Sequence, residues 1–210
     1  MSMDVLEADD IAMAYGPRVL FRNVSFTLTP GDFLIVTGRN GAGKSSLLKI
    51  LAGLSRPIAG VVRYPSDAGA ITNANPANEL PIGYCGPDIN IYDELSAAEN
   101  LTFFSGLRGL ANVPVRDLIS QFGLDPKRSS EPVSSYSTGM RQRLKHALSL
   151  VGSPRVLIWD EPTATLDSNG RKLAEDVISS HTSKGGIFIV ATNVDDEAER
   201  WGTKKLRIGP

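Results

Sequence analysis

The sequence predicts an α/β fold with a parallel sheet at its core, an antiparallel β part at the N-terminus and an inserted α-helical lobe. β-Branched and apolar runs dominate the first third of the chain, and helical patterns dominate the middle. The last third alternates strand, helix and strand, the order typical of a parallel sheet with crossover helices. The predicted strands are 5–15, 19–29, 33–37, 156–159 and 187–192, the core is 1–86 with 152–210, and the lobe is about 87–151.

The composition is that of one globular domain covering 1–210. The chain has 210 residues, of which 41% are hydrophobic and 21% are charged. Its 22 basic and 23 acidic residues give a net charge of −1, which predicts no nucleic-acid partner. A single cysteine, Cys85, excludes an internal disulfide and fits a reducing compartment. The apolar stretches are far shorter than the roughly 20 residues of a membrane span, and the acidic N-terminus is unlike a secretory signal.

Capping residues indicate where the helices begin. Ser96 and Glu99 form the S-x-x-E pattern of a capping box, which opens a helix through Leu107. Pro114 suits the first position of a second helix, since its fixed backbone angle is compatible with a helical start. A third helix is expected from about 140 to 151, and a fourth from 167 to 181.

Residues 38–45 match the phosphate-binding pattern G-x-x-x-x-G-K-[ST], also called Walker A. Glycines let backbone amides face a phosphate, and the helix that follows directs its positive end at the anion. Lys44 is expected to reach the β- and γ-phosphates, and the Ser45 hydroxyl to ligate Mg²⁺. A flexible glycine-rich turn is the alternative, but the strand before the loop and the helix after it favour a phosphate site. The residues expected to bind ATP here are Gly38, Asn40, Gly41, Ala42, Gly43, Lys44, Ser45 and Ser46.

Two adjacent carboxylates, Asp160 and Glu161, follow the predicted buried strand 156–159. Ligands of parallel sheets bind at the carboxyl ends of the strands, which is where these side chains lie. Asp160 is expected to hold Mg²⁺, directly or through water, and Glu161 to act as the general base toward the attacking water. An ordinary surface turn before Pro162 is the alternative, and the phosphate loop upstream makes it the weaker one.

With these two elements the chain resembles the ATP-binding subunits of ABC transporters over essentially its whole length. The segment Tyr136–Met140, called the signature below, stands where that family has L-S-G-G-Q. The resemblance implies a P-loop NTPase core of the RecA-like type, with ATP and Mg²⁺ as ligands. It also implies a head-to-tail dimer in which Ser137, Gly139 and Met140 cover the ATP held by a second subunit. A plain helix cap at Ser137 is the alternative.

The same resemblance implies partners and a place in the cell. Transmembrane permease subunits would dock around 84–101, with the chain peripheral on the cytoplasmic face of the inner membrane. Tyr15 stands where the family has an aromatic residue that stacks on adenine, although an ordinary strand tyrosine explains it as well. Residues 164–167 match the D-loop, which touches the other subunit, and Asp167 also suits a helix N-cap.

Two positions depart from the family pattern. Pro87 stands near the position where the family has its Q-loop glutamine, and Asp88 is the neighbouring polar residue. Asn193 stands where the family has its switch histidine. Asparagine can donate to a γ-phosphate but cannot carry a proton or a charge. His146 and His181 are expected to be surface or partly buried structural residues, not substitutes for the switch histidine. We therefore expect a slow ATPase in which Glu161, Lys44 and Asn193 act, with a binding-only switch subunit as the alternative.

The short chain ends soon after the last predicted strand, which predicts no attached regulatory domain. Compact subunits of this kind are similar to the ATPase of the haem exporter in cytochrome c maturation, as packing residues such as 19–21, 25–28 and 54–57 also indicate. A soluble ABC protein acting on ribosomes or DNA is disfavoured, because one phosphate loop and no heptad run are present. A kinase or GTPase is disfavoured by the signature and by the lack of an N-K-x-D motif.

Overall fold

A computed structural model describes residues 5–65, 71–72, 82–192 and 203–209, and these form two sheets with helices around them. The strands are β1 Leu6–Tyr15, β2 Arg18–Leu28, β3 Phe33–Thr37, β4 Ala59–Tyr64, β5 Ile71–Thr72, β6 Ile82–Cys85, β7 Val156–Asp160, β8 Ile187–Ala191 and β9 Lys204–Arg207. The α-helices are α1 Lys44–Leu51, α2 Ala97–Leu107, α3 Val115–Gln121, α4 Thr138–Ser149 and α5 Ser168–Ser183.

The sheets confirm the predicted fold class. One has the order β2-β1-β4-β5 with antiparallel pairs, and the other has the order β6-β7-β8-β3-β9 with parallel pairs. The antiparallel sheet contains the N-terminal part of the chain. Strands β7 and β8 are buried along their whole length, which explains why their sequences are continuous apolar runs without alternation.

Alternate side chains of the parallel strands enter two different cores. Leu34, Val36 and Ile158 pack with α1 and the antiparallel sheet, whereas Ile35 and Trp159 pack with α5 and the helical lobe. This division follows from the two-residue period of a strand, which directs neighbouring side chains to opposite faces. The sheet therefore has the nucleotide-loop helix α1 on one face and the lobe on the other.

Three α-helices, α2 to α4, and two short 3₁₀ turns fill the middle of the chain. The predicted capping box is confirmed, because the Ser96 hydroxyl accepts from the Glu99 N–H while Glu99 accepts from the Ser96 N–H. Pro114 caps α3 and does not form its first turn. Helix α4 begins at Thr138, two residues before the predicted start, because Ser137 is its N-cap. The limits of the core and the lobe as separate units stay predictions.

Candidate nucleotide site

The phosphate loop connects the end of β3 to the start of α1 and needs glycine at two positions. Gly38 has φ +153°, and a Cβ there would lie 2.4 Å from the Ile208 carbonyl oxygen. Gly43 has φ +100°, and a Cβ there would lie 3.0 Å from the Phe21 ring. Any other residue would be strained at both positions. Glycine therefore permits the tight turn in which backbone amides of such a loop can face a phosphate.

Lys44 is buried and lies across the mouth of this loop. Its ammonium donates to the carbonyl oxygens of Gly38, at 2.9 Å, and of Arg39, at 3.4 Å. Arg18 of β2 braces the other side, with its guanidinium donating to the Gly41 carbonyl at 3.1 Å. An ammonium has three donors, so Lys44 can keep contact with the loop while it reaches a phosphate.

The remaining residues of the predicted nucleotide set lie around the loop. Asn40, Gly41 and Ser45 are exposed, while Ala42 is buried. Tyr15 at the end of β1 is 57% exposed, and its hydroxyl oxygen lies 3.5 Å from that of Ser46. The fold thus brings an exposed aromatic ring to the start of α1, as stacking on a base bound beside the loop requires. That role of Tyr15 stays a prediction.

Asp160 ends β7 and approaches the phosphate loop. It is 3% exposed, and within the described part of the chain neither carboxylate oxygen has a hydrogen-bond partner of normal geometry. Burial and the nearby charges of Glu161 and Asp88 raise the pKa of Asp160, while the Ser45 hydroxyl and the Lys44 ammonium act in the opposite direction. A buried carboxylate beside a serine hydroxyl at a phosphate loop suits a hard divalent cation such as Mg²⁺, which would supply its missing partner.

Glu161 follows at once and is exposed. Its backbone has φ +50°, and its N–H donates to the Ala191 carbonyl of β8 at 2.8 Å. The two adjacent carboxylates therefore differ in environment, with Asp160 buried and Glu161 exposed, in agreement with two different roles. Residues 193–202 lie outside the described part of the chain, so the predicted contact of Asn193 stays a prediction.

Asp88, in the loop after β6, forms an ion pair with Lys49 of α1. Its carboxylate lies 3.1 Å from the Lys49 ammonium and accepts a hydrogen bond from the Tyr84 hydroxyl at 3.3 Å. Although burial opposes it, the Lys49 contact keeps the pKa of Asp88 below its ordinary value. Pro87 offers no side-chain hydrogen bond here, and Asp88 is the polar group of this loop that lies near Asp160.

The signature begins α4 on the lobe. Ser137 accepts from the Met140 N–H at 3.3 Å, so the N-cap interpretation is confirmed, and Ser137 is also exposed. Met140 is half-buried, with its sulfur 3.8 Å from Arg128. A Cβ on Gly139 would lie 3.4 Å from the Thr165 carbonyl oxygen, which places the predicted D-loop beside the signature. An exposed helix start of this kind can bind an anion, as an ATP-sandwiching role requires.

The expectation that His146 is a surface or partly buried residue is wrong, because its side chain is fully buried. Its ring stacks on Trp159, and burial lowers its pKa to about 3. His181 is half-buried, and its Nε2 lies 3.1 Å from the Ile187 carbonyl. Both are structural residues, as predicted.

Comparison with known proteins decides the family. The family described as "ABC transporter" matches residues 21–164, which include the phosphate loop, the signature and both carboxylates. The chain belongs to the ABC transporter family. It is therefore an ABC ATPase, the nucleotide-binding part of an ATP-driven transporter.

Two relatives with different names are similar over most of their length. The cytochrome c biogenesis ATP-binding export protein CcmA of Rhizobium johnstonii is 36% identical over 90% of this chain and 87% of its own. The ergothioneine transport ATP-binding protein EgtV of Helicobacter pylori is 30% identical over 98% of this chain and 97% of its own. The two relatives are both ATP-binding proteins, but their names give different transport functions.

Solved structures confirm the fold. A dimeric ATP-binding cassette in a post-hydrolysis state, bound to ADP and Pi, superposes with a TM-score of 0.83 over 97% of this chain and 94% of that one, at 22% identity. Among the helices that the structure describes in this chain, none is both long and apolar enough to cross a bilayer.

Proposed function

We propose that this ABC ATPase hydrolyses Mg-ATP to drive export linked to cytochrome c maturation, with haem as the expected cargo class. One observation supports hydrolysis most directly. Lys44 and Ser45 of the phosphate loop lie beside Asp160 at the carboxyl end of β7, and Glu161 is the next residue. The cargo rests on similarity to export proteins named for cytochrome c biogenesis, 36% identical in the case of Rhizobium johnstonii. The match to an ergothioneine transport protein makes a different small-molecule cargo the second candidate.

The residues divide the work at the proposed site. Amides of the phosphate loop and Lys44 hold the β- and γ-phosphates, and Tyr15 stacks on the adenine. Asp160 and Ser45 hold Mg²⁺, which when bound neutralises phosphate charge. Glu161 accepts the proton of the water that attacks the γ-phosphate.

Hydrolysis is proposed to be slow. Asn193 can donate an amide N–H to the γ-phosphate but carries no charge, and Pro87 contributes no side-chain contact. Contacts that form to developing charge in the transition state matter more for turnover than for binding. The same two positions favour, as the alternative, a subunit that switches on nucleotide binding with weak hydrolysis.

The proposed working unit is a head-to-tail dimer of nucleotide-binding subunits. Lys44 and the phosphate loop hold one face of each ATP, while Ser137, Gly139 and Met140 of the signature are exposed or half-exposed on the lobe. A signature that faces a second copy explains why one chain has two anion-binding elements. The dimeric cassettes of the same fold agree with this arrangement.

The proposed membrane partner docks in a groove between α2 and the loop after α1. The groove has a volume of about 380 Å³ and is lined by Leu54, Tyr84, Ile89, Phe104, Leu107 and Arg108, among others. Leu54 and Leu107 are 56% and 63% exposed and lie on the same groove, so together they offer an apolar surface that a partner can cover.

The groove also carries a positive charge. The Arg108 guanidinium donates to the Val151 carbonyl at 2.7 Å and to the Ile82 carbonyl, and no carboxylate of the described residues forms an ion pair with it. We expect the partner to be a short amphipathic helix of a permease subunit with an acidic residue for Arg108. A permease partner of this kind is the reason for proposing that the chain is peripheral on the cytoplasmic face of the inner membrane.

Co-purification tests the membrane partner. Leu107→Glu is expected to abolish co-purification with the proposed permease subunit, because a carboxylate would be desolvated in an apolar contact. Ile58→Glu is the matched control, since Ile58 is 58% exposed but does not line the groove. Equal recovery of the permease with both variants would contradict docking at this groove, and haem bound by the recovered complex would support the cargo.

A further inference from the structure

A cluster of buried polar side chains joins the signature helix α4 to the ends of two core strands. Gln142, His146 and Ser149 lie on one face of α4, at spacings of four and three residues. Cys85 is the last residue of β6, and Trp159 precedes Asp160 on β7. All except Gln142 are at most 2% exposed. Within the described part of the chain no hydrogen bond joins these side chains to Lys44 or Asp160, so nucleotide binding alone does not explain the cluster.

Trp159 is held by α4 in two ways. The imidazole of His146 stacks on the indole with ring centroids 4.2 Å apart and planes 17° apart. The indole N–H donates to the Ser149 hydroxyl at 2.9 Å, and that hydroxyl donates to the His146 carbonyl at 2.7 Å. Movement of α4 along the sheet therefore either carries Trp159 with it or breaks the stack and leaves a buried indole N–H unpaired, which is costly.

Gln142 extends the contact to β6. Its amide nitrogen lies 3.1 Å from His146 Nε2 and 3.6 Å from the Cys85 sulfur. The Gln142 amide thus pairs with the Nε2 side of the imidazole, whereas Nδ1 is buried and has no hydrogen-bond partner among the described residues. Burial lowers the pKa of His146 to about 3 and raises the pKa of Cys85 to about 12, so the cluster is neutral in the cell. It acts through shape and hydrogen bonds, not through charge.

We propose that Gln142 and His146 are positioning residues that make the signature and the carboxylates at the end of β7 move as one unit. Gln142 lies two residues beyond the signature, and Trp159 lies directly before Asp160. In the proposed dimer, on which this inference rests, the signature faces the ATP of the second subunit while Asp160 faces the ATP of its own. The cluster then connects the two nucleotide sites through a few buried contacts.

The fluorescence emission of Trp159 can be used to test this connection. The chain has two tryptophans, so Trp201→Phe leaves Trp159 as the only one. In that background, with the chain of 210 residues, we expect Mg-ATP to change the Trp159 emission. His146→Leu and Gln142→Leu keep the side-chain volume close while they remove the stack or the amide. Both are expected to bind Mg-ATP by calorimetry within about 3-fold of the parent, to lose most of the emission change, and to lower kcat on the order of 10-fold with little change in KM.

Val133→Ala is the control, because Val133 is fully buried in the lobe but is not part of the cluster. It should lower the melting temperature and keep the emission change. The inference is overturned if His146→Leu behaves as the parent, if Val133→Ala loses the response equally, or if the parent binds Mg-ATP without a change of emission. If the parent binds Mg-ATP and changes its emission but shows no turnover, the proposed hydrolysis alone is refuted. If calorimetry shows that the parent binds no Mg-ATP, both the proposed hydrolysis and the proposed coupling are refuted.

Discussion

Replacing Glu161 by Gln is expected to lower ATP turnover at least about 100-fold while Mg-ATP binding is retained, because a carboxamide of the same shape cannot accept a proton. Glu161 is the exposed carboxylate next to buried Asp160, and the bond from its N–H to Ala191 holds the turn in place. The variant should also accumulate an ATP-bound dimer, since hydrolysis would no longer release it. Phosphate release and size-exclusion chromatography with and without Mg-ATP measure the two effects.

Asp176→Asn removes one exposed carboxylate on α5 and is the matched control, with turnover expected to be unchanged. Asn193→His is the companion variant and should raise turnover, because an imidazole can carry a proton and a charge. Equal turnover in the parent and in Glu161→Gln would show that this carboxylate is not the base. A drop in Asn193→His would show that the asparagine is fitted to the site.

Gly83→Ala is expected to destabilise the fold by about 3 kcal/mol, the upper end of the usual cost of overpacking, because the added methyl group meets backbone and not a flexible side chain. A Cβ on Gly83 would lie 1.8 Å from the Ser149 carbonyl oxygen and 2.9 Å from its carbon. Gly83 is in the middle of β6, and its missing side chain lets the end of α4 lie directly on the sheet. The substitution would therefore push the signature helix away from the core. Urea unfolding measures the loss as a lower midpoint.

Gly106→Ala is the control for the same chemical change. Nothing lies within 4 Å of a Cβ on Gly106, which is in α2, so the change should be neutral or stabilising by up to about 1 kcal/mol. Equal unfolding midpoints for Gly83→Ala and the parent would mean that α4 and β6 do not approach as closely as described.

Much of the fold was predictable because its signals are local. The phosphate loop is a continuous motif, and the buried strands β7 and β8 are short apolar runs between turn residues. The capping box depends only on Ser96 and Glu99, three residues apart, so the start of α2 was also predictable. Helix α4 begins two residues before the predicted start, because the Ser137 side chain caps it and also belongs to the signature.

Contacts between distant segments had no sequence signal. Arg18 braces Gly41 from 23 residues away, and Lys49 pairs with Asp88 across the loop after β6. Nothing in the residue types says that these side chains meet. The residue type alone does not predict the full burial of His146, because histidine is intermediate between buried and exposed residue types in folded proteins. The spacing of Gln142, His146 and Ser149 on one helix face was the available clue, since i, i+4 and i+7 share a face.

Calorimetry with Mg-ATP on the parent and on Lys44→Ala tests most directly whether the phosphate loop and its ammonium grip a triphosphate. The account predicts one binding event per parent chain and binding at least about 10-fold weaker in Lys44→Ala, which loses a charge-assisted contact. Absence of binding by the parent, or equal affinity of the two proteins, would contradict it.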